Sequence, residues 1–132
     1  MSVDLVDPSV LAKAAELRRC FESARPFRHL VIDGFIDPSH CRELQATFPE
    51  FSAERARNEL GEVGRKAVFT DLAAIGPAYA RFDRLLGANA FRKWLSAVTG
   101  IPGLLYDPIY LGGGTHENLD GQDLDQIGRA HV

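Results

Sequence analysis

The sequence predicts an α+β fold in which most helices come first and most of the β-structure begins near the end of the chain. Apolar residues recur at helical spacing in segments before residue 100, and short strand-like runs broken by proline and glycine come after it. The 132 residues have the length of about one domain, and no internal repeat divides them. The late β-structure supplies only about two or three strands, so we expect a sheet with unpaired edges and a bare apolar face.

The first helix is predicted to begin at Pro8 and to end before Pro26. Asp7 has the side chain of an N-cap, and proline is favoured at the first helical position. The apolar face of this helix consists of Val10, Leu11, Ala14, Leu17 and Phe21.

A strand is predicted next, over the run "FRHLVIDGF" at residues 27–35. The run is short and rich in β-branched and aromatic residues, and Asp33-Gly34 is a turn signal. The pair Asp37-Pro38 then repeats the start of the first helix. The helix predicted after it ends before Pro49, and its apolar face consists of Cys41, Leu44 and Phe48.

The middle of the chain is less regular. Residues 52–66 combine many charges with two glycines and little periodicity, which predicts a mobile or irregular connection. A lid over substrate is one hypothesis for its role. The run "AVFTDLAAI" at residues 67–75 fits either a strand or a helix.

Two further helices are predicted over residues 77–88 and 89–100. Gly100 fits the left-handed residue that often follows a helix. After it, the runs "LLYDPIYL" and "GGGTHENL" are strand-like, with breaks at Pro108 and at the glycines. The predicted apolar faces of the two helices consist of Tyr79, Phe82, Leu85 and Leu86, and of Phe91, Trp94, Leu95 and Val98.

The composition excludes several classes of protein. A net charge of −3 gives no basic face for nucleic acid. No run approaches the ~18 consecutive apolar residues of a membrane span, and the N-terminus lacks the regions of a signal peptide. We therefore expect a cytoplasmic protein, with Cys20 and Cys41 as reduced core thiols. The oligomeric state stays open.

The residues able to carry chemistry cluster in "GGGTHEN". The glycines have no following lysine or helix start, so a Walker-type phosphate loop is rejected in favour of a bulge or bend in a strand. His29 and His40 are interpreted as structural or exposed. His116 follows the glycines within a strand beside Glu117, and taken alone it is more typical of a structural histidine than of a catalytic one.

Two blocks of the sequence together resemble a known family. The first is "FRHLVIDGFIDPSHCRELQATFPEF", and the second is "WLSAVTGIPGLLYDPIYLGGGTHENLDGQDLD". Both are similar to signatures of the Fe(II)/2-oxoglutarate-dependent dioxygenases of the prolyl 4-hydroxylase type, and they occur in the family's order. The resemblance covers nearly everything from Pro26 to Asp125.

The resemblance implies a fold and an activity. The family fold is a double-stranded β-helix, a jelly-roll or cupin-like barrel with helices packed outside. Its Fe(II) is held by a His-x-Asp pair and a distal histidine, which leaves positions open for 2-oxoglutarate and O2. On this basis residues 1–125 are expected to be the N-terminal part of such an oxygenase domain, with the first strands of an incomplete barrel. His116, Tyr110 and Asn118 are the expected cofactor-binding residues at the rim of its pocket. A structural histidine bonded to backbone is the alternative for His116.

The sequence departs from the family where the metal ligands are expected. By the family pattern the first iron histidine falls at Ile127 and the aspartate at Arg129. The segment "QIGRAHV" at residues 126–132 is similar to the translation of a common sequencing-library adapter, so we expect a non-native tail there, and His131 is not interpreted as a ligand. The chain itself is therefore expected to lack metal ligands, to be inactive and not to bind Fe(II) or 2-oxoglutarate.

The leading hypothesis is a truncated 2-oxoglutarate/Fe(II)-dependent oxygenase whose parent hydroxylates a protein or peptide side chain. Prolyl, other amino-acid and small-molecule hydroxylation all stay open. The alternative is a non-catalytic protein-binding module derived from the same barrel. Because a lost barrel face forfeits much of the apolar burial that stabilises a domain, we also expect this chain to aggregate or to be partly disordered when expressed alone.

Overall fold

A computed structural model describes residues 4–50, 67–111, 113–117, 119 and 120. The chain divides into two compact units. The helical unit comprises residues 1–48 and 73–108, and the strand unit comprises residues 49–72 and 109–132. Helices together with a small antiparallel sheet make the described part of the chain α+β, as the sequence predicts, whereas the described residues form no jelly-roll barrel.

The predicted first helix is two helices. Helix α1 is Pro8–Leu11 and helix α2 is Ala14–Ser23. The chain leaves helical geometry at Lys13, which has φ −104° and ψ 22°. At the break the Leu11 carbonyl oxygen accepts a hydrogen bond from the Trp94 indole N–H at 3.2 Å. The single predicted helix is therefore wrong at this point, where the Leu11 carbonyl bonds a residue that is distant in sequence.

The two Asp-Pro starts lie side by side. Asp7 caps α1, and Asp37 caps helix α3, Pro38–Ala46, as predicted. Val6 and Ile36 form an isolated antiparallel bridge, in which the Asp7 N–H donates to Phe35 and the Asp37 N–H donates to Leu5, at 3.0 and 2.9 Å. Backbone hydrogen bonds therefore hold the two Asp-Pro helix N-termini side by side.

The strand predicted at residues 27–35 does not form. In the described part of the chain, Leu30, Val31 and Ile32 are assigned no strand and make no backbone hydrogen bond. Their exposure still alternates, with Val31 82% exposed between two half-buried neighbours. These residues therefore have the alternating exposure of a strand, but no described residue pairs with them through backbone hydrogen bonds.

The helical unit buries one apolar core. Helix α5, Pro77–Gly87, packs on α3 and on helix α6, Asn89–Thr99, and α2 also packs on α6. Gly100 ends α6 with φ 74°, as predicted. The buried members of the core are Leu5, Val6, Val10, Leu85 and Phe91.

Three aromatic rings extend this core. Phe35, Phe91 and Trp94 have ring centroids 5.8 to 6.3 Å apart, which is the range in which aromatic pairs attract. Of the predicted apolar faces of α5 and α6, Tyr79, Leu85, Phe91 and Val98 are buried, and Phe82, Leu86, Trp94 and Leu95 are half-buried.

The strand unit contains two short strands. The ambiguous run at residues 67–75 divides into strand β1, Ala67–Phe69, and helix α4, Leu72–Ile75. Strand β2 is Thr115–Glu117, and it pairs antiparallel with β1 in the register Val68 to His116. Each strand has only three residues. The described sheet has two strands, so both of them are edge strands.

One predicted strand does not form, and several residues that the sequence predicts to be buried are exposed. No strand forms over "LLYDPIYL", where Leu105 is 92% exposed and Leu111 is 87% exposed. Cys20 and Cys41 are free thiols within helices, as predicted, but both are exposed and not in the core. Phe48 is also exposed. The apolar face predicted for α3 is therefore wrong at Cys41 and Phe48, and α3 instead buries His40.

Candidate functional site

The turn before β2 is built around Gly113. The Gly113 N–H donates to the Tyr110 carbonyl at 3.1 Å, and Tyr110 has φ 50°, an uncommon value for a residue with a side chain. A Cβ atom at Gly113 would lie 3.1 Å from the Tyr110 Cδ1 atom. The tyrosine ring therefore covers the backbone of Gly113, and a larger residue there would push it away.

Gly114 makes a second close approach. Its φ is 107°, a conformation that side chains rarely adopt, and a Cβ atom at this position would collide with the Phe69 carbonyl oxygen. The glycine therefore lets the chain cross the end of β1 before β2 begins. The sequence predicts a bend at the glycines, and the structure confirms it for Gly113 and Gly114.

His116 projects from the middle of β2 and is exposed. Its Nε2 atom lies 3.3 Å from the Gly113 carbonyl oxygen. Because a carbonyl oxygen only accepts, Nε2 is the donor in this bond. The geometry can orient an imidazole toward a polar ligand, and it is equally the geometry of a histidine that braces its own turn.

The predicted site residues are thus partly brought together. Tyr110 and His116 both contact Gly113, one through its ring and the other through its imidazole nitrogen. Asn118, the third predicted residue, lies outside the described residues, as do Gly112, Ile127, Arg129, the segment 52–66 and the tail 126–132.

The described residues do not fit an iron centre. Among them, no group of three or more histidine, cysteine, aspartate or glutamate side chains is arranged to hold a metal ion.

The helical unit contains an apolar groove that the sequence does not predict as a site. The groove has a volume of about 400 Å3, within the range of small-molecule pockets. Its walls come from α2, from residues 30–35 and from α6. The lining residues are Phe21, Leu30, Ile32, Phe35, Phe91, Trp94, Leu95, Val98 and Thr99. The helical spacing in α6 predicts an apolar face, but it cannot show that this face is left partly open.

His40 is a second feature that the sequence does not predict as a functional site. It is 1% exposed, and within the described part of the chain neither ring nitrogen has a hydrogen-bond partner. Its backbone N–H donates to the Asp37 carboxylate at 3.2 Å, which completes the cap of α3. The sequence interpretation of His40 as structural or exposed agrees with this burial.

Two carboxylates and one phenol have shifted acidities. Hydrogen bonds from Ser39 and from the His40 N–H lower the pKa of Asp37, and the hydroxyl and N–H of Ser9 lower the pKa of Asp7. Burial raises the pKa of Tyr79, whose O–H donates to the Leu44 carbonyl at 2.7 Å. These shifts follow from helix capping and from packing, which are structural roles.

Comparison of the chain with protein-family models, with curated proteins and with solved structures returned no match. Within the described residues, no helix reaches the length and apolarity needed to cross a lipid bilayer.

Proposed function

We propose that residues 1–125 belong to an Fe(II)/2-oxoglutarate-dependent oxygenase domain of the prolyl-hydroxylase type, and that the complete domain hydroxylates a side chain of a protein or peptide. The double-stranded β-helix is part of this proposal, with the described strands as its beginning. The chain of 132 residues is itself inactive, because Ile127 and Arg129 stand where the family pattern has its first metal ligands. Its setting is the cytoplasm.

The observation that carries the proposal is the order and content of the two sequence blocks. The block from Phe27 to Phe51 and the block from Trp94 to Asp125 follow the family pattern at opposite ends of the chain. The strand unit adds a physical reason for the glycines in the second block. Gly113 lies under the Tyr110 ring, so a side chain there would displace the ring. Gly114 has φ 107° and lies against the Phe69 carbonyl, so that position needs a residue without a side chain.

The contribution of this chain's own residues is to bind and orient the co-substrate. When bound, Fe(II) and 2-oxoglutarate would supply the oxidative chemistry of the complete domain. His116 is exposed on β2, and its imidazole is held by the Gly113 carbonyl. Tyr110 lies in the same turn. Imidazole and phenol groups donate hydrogen bonds to carboxylates, and 2-oxoglutarate has two carboxylates. Asn118 is the third member of this proposed set.

A non-catalytic protein-binding module is the second candidate. The observation that favours it is the exposure of large apolar side chains in the helical unit, where Phe27 is 61% exposed and Val31 is 82% exposed beside the apolar groove. Exposed apolar patches often mark sites of protein interaction.

The coding sequence beyond the codon for Asp125 separates the two candidates. A His-x-Asp motif directly after that codon supports the oxygenase, and its absence from the gene supports the binding module. The protein with that continuation should then release succinate from 2-oxoglutarate when Fe(II) and a peptide substrate are supplied. Loss of the motif, or no turnover with the motif present, would contradict the proposal.

The role of His116 is tested in the same extended protein with two matched variants. His116 and His29 are both exposed, and each bonds a nearby backbone carbonyl, His116 at 3.3 Å and His29 at 2.8 Å. We expect His116→Ala to raise the KM for 2-oxoglutarate by about tenfold or more, as the loss of a charge-assisted hydrogen bond implies. We expect His29→Ala to leave it unchanged. Equal values for both variants would assign His116 the structural role alone.

A further inference from the structure

Helix α3 packs on α5, and the inward face of α3 has a histidine at its centre. His40 and Leu44 are four residues apart, so they lie on the same face of the helix. Leu44 is half-buried, whereas His40 is 1% exposed. All nine residues of α3 are described, and His40 is the one that is buried. The packing of α3 therefore depends on a side chain that can take up a proton.

The imidazole of His40 is buried without hydrogen bonds. Within the described part of the chain, neither Nδ1 nor Nε2 has a partner. A neutral imidazole has one donor and one acceptor, and leaving them unpaired in the interior destabilises the folded state. A buried charge without a partner is far more costly than an unpaired neutral group. The position of His40 thus tolerates the neutral ring and opposes the protonated one.

The N-terminal end of α3 also opposes a positive charge on this ring. His40 is the third residue of the helix, where the unpaired backbone N–H groups carry a partial positive charge. The capping carboxylate of Asp37 accepts from Ser39 and from the His40 backbone N–H. Asp7, on the stretch that pairs with residues 35–37, accepts from Ser9. Among the described contacts, neither carboxylate forms a hydrogen bond to the ring.

The charged side chains of the two helices face solvent or have other partners. On α3, Arg42 and Glu43 are exposed, and on α5, Arg81 and Arg84 are exposed. Asp83 of α5 is half-buried, and it accepts from a tyrosine hydroxyl.

Tyr79 is the buried titratable residue of α5. Its O–H donates to the Leu44 carbonyl of α3 at 2.7 Å. Its hydroxyl is therefore engaged with the backbone of α3, and in the described part of the chain it forms no hydrogen bond to the imidazole of His40.

We propose that His40 is a pH-sensitive switch, in which α3 is closed on α5 while the imidazole is neutral and separates from α5 when the imidazole takes up a proton. In the open state the imidazolium is hydrated. Because the open state holds a proton that the closed state does not, lowering the pH favours opening. The proposal does not depend on oxygenase activity, since it uses only the burial and the contacts of the helical unit.

The pH range follows from the open state. A histidine in water takes up a proton at about pH 6.5, so its ring is about one-tenth protonated at about pH 7.5 and about nine-tenths protonated at about pH 5.5. The opening constant of α3 should therefore rise about tenfold between these two pH values.

The first test is amide hydrogen exchange of the full chain at the two pH values, corrected for the intrinsic exchange rate at each pH. Residues 41–46 report on α3, and residues 92–99 report on α6. We expect the amides of α3 to exchange through an opening that leaves α6 protected, and this opening should increase about tenfold at the lower pH.

The second test removes the titrating group. His40→Leu should abolish the change with pH, and it should not raise the opening constant at about pH 7.5, because an apolar side chain needs no partner. His40→Gln, which stays polar but does not titrate, should also abolish the change, and it serves if the leucine variant does not fold. His29→Leu is the matched control, since His29 is exposed and its ring bonds the Phe27 carbonyl. It should keep the tenfold change.

The third test separates packing from protonation. Tyr79→Phe removes the hydrogen bond to the Leu44 carbonyl, so it should raise the opening constant about fivefold at both pH values. The ratio between the two pH values should stay about tenfold, because His40 is unchanged.

Several outcomes would overturn the proposal. They are an opening constant of α3 that is the same at both pH values, a tenfold change that survives in His40→Leu or His40→Gln, and loss of the change in His29→Leu. Exchange of α3 and α6 at equal rates would also overturn it, because α3 would then open only when the whole helical unit unfolds.

Discussion

The two units of the chain differ in how completely each buries its apolar side chains and pairs its backbone groups in regular structure. The helical unit buries a core in which Leu85 is fully inaccessible and Val98 is 1% exposed. The strand unit pairs three residues with three, and Ile109 and Leu111 within it are 69% and 87% exposed. Helices satisfy their backbone hydrogen bonds locally, whereas a strand needs a partner from elsewhere in the protein. Within the described residues, the helical unit therefore has a buried core of its own, whereas the strand unit has only one short pair of strands.

The same contrast recurs inside the helical unit. Helices α1 and α3 have side-chain caps, and α2, α5 and α6 are packed together. By contrast, residues 30–32 alternate in exposure like a strand but make no backbone hydrogen bond in the described part of the chain. Exposed apolar residues beside unpaired backbone are typical of sequences that associate or aggregate. A sharp and reversible melting transition of the monomer would contradict the expectation that this chain aggregates or is partly disordered alone.

The largest expected effect tests whether the helical unit has a core of its own. Leu85→Ala should reduce the free energy of unfolding by about 2–5 kcal/mol, since the deletion leaves a cavity where no solvent reaches. Urea unfolding followed by far-UV circular dichroism measures this change. Leu105→Ala, at a position that is 92% exposed, should change it by less than about 0.5 kcal/mol. Equal effects would remove the distinction between core and surface in this unit.

The next prediction concerns the strand unit. Gly114→Ala should destabilise the pairing of β1 and β2 by roughly 1–3 kcal/mol, because it adds a side chain at φ 107° against the Phe69 carbonyl. Amide hydrogen exchange at residues 67–69 and 115–117 should then lose its protection. Gly103→Ala is the control, since Gly103 has φ 66° and open space around it. Retained protection in Gly114→Ala would show that the glycine is dispensable.

A smaller effect is expected between α3 and α5. Tyr79→Phe should cost about 1 kcal/mol, because the Leu44 carbonyl loses the hydrogen bond from the buried phenol. Since burial raises the pKa of Tyr79 in the folded protein, its contribution is present below the ordinary tyrosine pKa near 10 and is lost as the pH rises above it. The unfolding midpoint of Tyr79→Phe should therefore depend less on pH in that alkaline range than the midpoint of the unmodified chain.

The smallest effect is expected at the paired helix starts. Asp7 and Asp37 have pKa values below the ordinary 3.8, so their stabilising contribution is present above that pH and is lost as the pH falls through the lowered values. The double variant Asp7→Asn/Asp37→Asn keeps capping side chains and removes the titration. Its urea midpoint should change less between about pH 5 and about pH 2 than that of the unmodified chain. Identical acid dependence would assign it to other groups.

Local signals in the sequence predicted much of the helical unit. The Asp-Pro starts at Asp7 and Asp37, the spacing of apolar residues in α5 and α6, and the left-handed Gly100 all depend on residues within one or two turns. The glycine bend before His116 was predicted for the same reason. The break at Lys13, by contrast, coincides with a hydrogen bond from Trp94, which is distant in sequence.

The candidate site divides in the same way. The position of His116 on a strand follows from its neighbours in sequence, whereas its bond to the Gly113 carbonyl and the contact of Tyr110 with Gly113 follow from the turn geometry. The apolar groove brings together residues from α2, from α6 and from residues 30–35, so no single stretch of sequence contains it. The role of this site in oxygenase chemistry stays a proposal.

By itself the sequence determined the Asp7 and Asp37 caps, the apolar faces of α5 and α6 and the glycine bend, because each depends on the short-range geometry of the backbone. Only the tertiary structure decided that "FRHLVIDGF" forms no strand, that Cys41 and Phe48 face solvent, and that α6 leaves a groove open. A helix completes its hydrogen bonds within its own residues, but a strand and a buried face exist only when another part of the protein is there to meet them.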